Sequence, residues 1–112
     1  MTPADRADYT KLIGLIQQAN GNNRQIYAGP DCPEVYFLSG TSNATRMVYE
    51  FLRPAMDVSE TLAVLERQRV DVVVINRTPG FSRPLDAGLA RAFEQRYPYN
   101  AEAGRFVVRW RL

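Results

Sequence analysis

The chain has 112 residues, 46% hydrophobic and 23% charged, with fourteen basic residues against twelve acidic ones. That length suits one soluble domain spanning 1–112, and a scattered net charge of +2 excludes the basic stripe of a nucleic-acid binder. With no histidine and one cysteine, the chain cannot carry Cys-His or Ser-His-Asp catalysis, a CxxC pair or most metal sites, and no apolar run reaches the roughly 18 residues of a membrane span.

Thr2-Pro3-Ala4-Asp5 reads as a helix start, with Tyr9, Leu12, Ile13 and Ile16 at helical spacing and Asn20-Gly21 as its stop. Arg24 to Ala28 is a short strand. Asp31 then caps a short helix that has Glu34 in its first turn and Gly40 at its end. Arg46 to Phe51 reads as a second strand, and Ser59 caps a helix whose face carries Val58, Leu62 and Leu65. Val70 to Asn76 is a nearly continuous β-branched run, the pattern of a strand covered on both faces, and it belongs at the centre. A loop from Thr78 to Pro84 leads to a helix marked by Leu85, Leu89, Ala92 and Phe93 and ending before Pro98. Phe106, Val108 and Trp110 alternate with Val107, Arg109 and Arg111, which predicts a last strand at the sheet edge. Helices between strands point to a single layered α/β domain whose mainly parallel sheet has about four strands flanked by helices.

Chemistry is sparse along this order. Cys32 lies where nucleophilic thiols often sit, yet it has no histidine or second thiol to serve it, so it reads as a packed side chain. Neither GxGxxG nor GxxxxGK[ST] occurs, and the loops at Gly29-Pro30-Asp31 and Arg77-Thr78-Pro79-Gly80 hold too few glycines to cradle a diphosphate. The spacing of Asp31 and Glu34 is explained by helix capping. No metal or cofactor is expected. Phe81, in a loop beside Arg83, is the aromatic that periodicity does not assign to a core, and its exposure would mark a contact surface.

The succession IYAGP, PEVYFLSG, TRMVYEF, VVVINR and FVVRWRL, with helices between, resembles the C-terminal soluble domain of bacterial membrane-embedded glycosyltransferases of the dolichyl-phosphate-mannose protein mannosyltransferase-like and aminoarabinose-transferase-like superfamily. The resemblance covers nearly the whole chain. It implies a location on the periplasmic face of the inner membrane, a transmembrane domain of the same parent as partner, and a polyprenyl-phosphate-sugar carrier or an acceptor glycan or protein within reach. The family's catalytic acids belong to the membrane part, so none is carried onto this sequence and the domain is expected to be inactive alone. Under this resemblance the working surface is the loop edge of Arg77, Phe81 and Arg83, where arginines meet a carrier phosphate and Phe81 meets lipid or sugar. Two other readings stand beside it: a free-standing small-molecule enzyme built on the strand-edge loops, and a protein-interaction module with a large exposed apolar patch around Phe81.

Overall fold

The computed structural model describes residues 3–20, 25–29, 32, 34–43, 58–78 and 87–111. Among these residues the elements in chain order are α1 (Pro3–Asn20), β1 (Gln25–Gly29), α2 (Glu34–Ser39), β2 (Ser42–Asn43), α3 (Val58–Arg67), β3 (Val72–Asn76), α4 (Ala87–Arg96), β4 (Tyr99–Ala103) and β5 (Phe106–Trp110). The sheet order is β2-β1-β3-β5-β4, with β2 only two residues long.

β3 is central, as its β-branched run requires: Val72, Val73 and Val74 are fully buried. Side chains alternate across a strand, so Val72 and Val74 join Leu12 and Ile16 of α1 and Val35 and Tyr36 of α2 on one face of the sheet. Val73 instead joins Leu65 of α3 and Leu89 and Phe93 of α4 on the other. The result is a helix layer on each face of one sheet.

Two expectations about the sheet need correction. It is mixed rather than mainly parallel: β1 runs parallel to β2 and β3, but β5 is antiparallel to both β3 and β4. Nor is the last strand an edge, because β5 lies between β3 and β4, and β4 takes the edge. The physical cause is the two-residue turn Gly104-Arg105, with Gly104 at φ +60°, which folds β4 and β5 into a hairpin. A side chain at Gly104 would also collide with the Asp8 carboxylate of α1. The expected strand over 46–51 lies outside the described residues, as do Asp31 and the other residues of the loop before α2 apart from Cys32.

Helix ends follow the sequence closely at one site and less so at another. Gly40, at φ +71°, closes α2 as expected, and the N–H groups of Gly40 and Thr41 return to the carbonyls of Phe37 and Tyr36. α3 begins at Val58, so Ser59 sits inside its first turn rather than capping it. At its other end Arg69 takes the left-handed position usually given to glycine, at φ 54°, while Val70 N–H reaches the Leu65 carbonyl and both side chains enter the core.

Candidate functional site: the carboxyl end of the sheet

The parallel strands β1 and β3 both end at Gly29 and Asn76, on the side of the sheet where the Gly104-Arg105 turn also lies. Open α/β sheets bind ligands outside such strand ends. Asn76 is buried, and its side-chain oxygen accepts the Thr78 N–H at 3.2 Å, turning the chain out of β3.

Arg77 stands at this turn. Its backbone N–H donates to the Arg105 carbonyl at 2.9 Å, and its guanidinium donates to the carbonyls of Gly104 and Arg105 and to Glu102 Oε1 at 3.2 Å. Three of the five guanidinium N–H donors are thereby committed, yet 44% of the side chain remains exposed. Glu102 offsets part of the charge in a pair that is 64% exposed on its acidic side, so solvent screens it. Of the three residues expected to form the working edge, Arg77 alone falls among the described residues. Phe81 and Arg83 lie outside the described residues, as do Pro30, Asp31, Pro79 and Gly80 of the two strand-edge loops.

A second cluster, unread in the sequence, borders the same end. Tyr9 of α1 donates to Glu34 Oε1 at 2.9 Å, and Arg105 of the hairpin turn reaches the Tyr9 hydroxyl at 3.1 Å and Glu34 at 3.5 Å. The Arg105 guanidinium also lies 4.7 Å from the centroid of the Phe106 ring. Glu34, expected only as a helix-start acid, thus ties α2 to α1 and to the hairpin. Burial raises the Tyr9 pKa, the hydrogen bond to Glu34 raises it further, and Arg105 opposes both. Tyr9 therefore stays protonated at neutral pH and is no base or nucleophile there. Tyr9 and Arg105 lie 25 and 71 positions from Glu34 in sequence, and no local pattern announces the cluster.

Below this surface Cys32 is buried among Val35, Tyr36 and Ala28, 1% exposed. Its neighbour Tyr36 has a structural task. The Tyr36 hydroxyl accepts the Ala28 N–H at 2.7 Å and donates to the Ala28 carbonyl at 2.9 Å, satisfying both backbone groups of this β1 residue. Among the described residues no group of three or more metal-ligating side chains comes together, and none of the described helices is long and apolar enough to cross a membrane.

The opposite end of the sheet is held by charge. Arg111 donates to Asp71 at 3.1 Å and to Glu66 at 2.9 Å, and Glu66 also pairs with Arg96 at 3.4 Å. Tyr97, fully buried beneath, donates to the Val70 carbonyl at 2.8 Å, and burial pushes its pKa up to about 12. Exposed apolar side chains occur at Phe37 and Leu38 on α2 and at Tyr99 on β4. Comparison with protein families, with characterised proteins and with solved structures finds no match for the chain.

Proposed function

We propose that the chain is a non-catalytic extracytoplasmic accessory domain of a polyprenyl-phosphate-sugar-dependent membrane glycosyltransferase. In this reading it stands on the periplasmic face of the bacterial inner membrane beside the parent's transmembrane domain. Its loop edge, with Arg77, Phe81 and Arg83, positions the carrier lipid or the acceptor.

The observation that carries the reading is the state of Arg77. Its guanidinium is fixed to the hairpin by three hydrogen bonds, has two further N–H donors with no partner among the described residues and stays 44% exposed at the carboxyl end of the sheet. A cation already held in place loses little further freedom when it meets a phosphate oxygen. The transfer chemistry belongs to the parent. The chain has no histidine, and at this end Glu34 and Glu102 are each held by an arginine.

The test is flotation of the purified chain with phosphatidylcholine vesicles, with and without a polyprenyl phosphate. Carrier-dependent recovery is expected, and Arg77→Ala and Arg83→Ala should each reduce it several-fold. Equal recovery from both vesicle types overturns the carrier role.

A second reading, a protein-interaction module, is favoured by Phe37 and Leu38, which sit side by side on α2 and are 87% and 40% exposed. Under it, Phe37→Ser rather than Arg77→Ala would release the domain from its partner protein.

A further inference from the structure

At the end of the sheet opposite Arg77, a cleft of about 220 Å³ opens between the C-terminal half of α1 and the end of β5. Its lining is Leu15, Gln18, Ala19 and Trp110. On its β4 side stands Tyr99, which pairs directly with Trp110 across the hairpin. The two rings are near parallel, 21° apart, with centroids at 6.2 Å.

We propose that this cleft is a binding site for one neutral pyranose ring. The volume falls below the about 300–1,000 Å³ of sites for drug-sized ligands and suits a single ring. The two aromatic rings form a platform rather than a slot. A flat base inserted between them would need two contact gaps of about 3.5 Å each, more than their spacing allows, so a ligand must lie on one exposed face. The negative face of an aromatic ring attracts the C–H groups that a pyranose presents along its apolar side. Sugar hydroxyls, projecting from the ring edge, would then meet polar groups at the rim.

Two such groups are available. The indole N–H of Trp110 and the side-chain amide of Gln18 make no hydrogen bond to another described residue. Charge argues for a neutral ligand. None of the four lining residues is ionisable, and the arginines that flank Trp110 in the chain are committed elsewhere: Arg109 to the Tyr97 carbonyl at 2.9 Å, and Arg111 to Asp71 and Glu66. This proposal does not rest on the loop-edge reading above, because the cleft and Arg77 occupy opposite ends of the sheet.

Trp110 is the only tryptophan in the chain, so its fluorescence and its indole N–H resonance report on this cleft directly. The purified chain would be titrated with methyl β-D-glucopyranoside and methyl α-D-mannopyranoside, and in parallel with adenosine and inorganic phosphate. A saturable shift of the indole signal in the millimolar range is expected with at least one glycoside. Both Tyr99→Ala and Gln18→Ala alter exposed side chains, and each should weaken that binding about three- to tenfold with the amide spectrum of the core unchanged. No saturation with either glycoside would overturn the proposal. So would native affinity retained in both variants, or a response to adenosine or phosphate matching that to the sugars.

Discussion

The Tyr36 hydroxyl completes the hydrogen bonding of Ala28 in β1, and removing one atom tests how much that matters. Tyr36→Phe leaves an N–H and a carbonyl unpaired in the core, for which a loss of about 1–3 kcal/mol is expected, read from denaturant midpoints at constant slope. A change within about 0.5 kcal/mol, the range of an ordinary surface substitution, would show that water takes over those groups. Tyr97 makes a second prediction, in pH. Its hydroxyl titrates at about 12 in the fold against 10.0 ordinarily, so the folded chain keeps a proton that the unfolded chain gives up. The stability this contributes is fully present below pH 10 and is lost as pH rises toward 12, by about 2–3 kcal/mol. Tyr97→Phe, measured across the same range, should lose less than the native chain. Parallel pH profiles for the two proteins would contradict the assignment.

Among the elements, β3 was the most legible because its signal is local: a run of β-branched residues has few uses outside a strand buried on both faces. Val74→Asp should therefore unfold the domain, since it places an unpaired carboxylate at a fully buried position. A cooperative melt at the native temperature would remove β3 from the centre. β4 was not legible, for a reason equally physical. Tyr-Asn-Ala-Glu-Ala contains no β-branched residue and becomes a strand through its pairing with β5. Missing that hairpin hid the antiparallel half of the sheet and put the edge one strand too far along the chain. It also hid the bonding of Arg77, a residue the sequence places at a strand end, because its partners Glu102, Gly104 and Arg105 all belong to the hairpin. The Tyr9, Glu34 and Arg105 cluster escaped for a related reason. It is made by three elements meeting, and the capping role of Glu34 already gave its spacing a sufficient explanation.

At the scale of the whole molecule, the two ends of the sheet differ in kind. The amino end of β3 is tied by the network of Arg111, Asp71, Glu66 and Arg96 over a buried tyrosine. The carboxyl end holds an arginine that is fixed, exposed and only partly neutralised. That difference is the ground on which we propose carrier or acceptor contact at the carboxyl end. Under the proposed function, the most direct measurement is sugar transfer by the proposed parent transferase, compared with its Arg77→Ala, Phe81→Ala, Arg83→Ala triple variant at matched expression and membrane insertion. The account predicts a transfer rate that falls at limiting carrier and recovers at saturating carrier, the pattern of lost binding with the chemical step intact. Unchanged transfer rate and unchanged carrier affinity in the triple variant would contradict it.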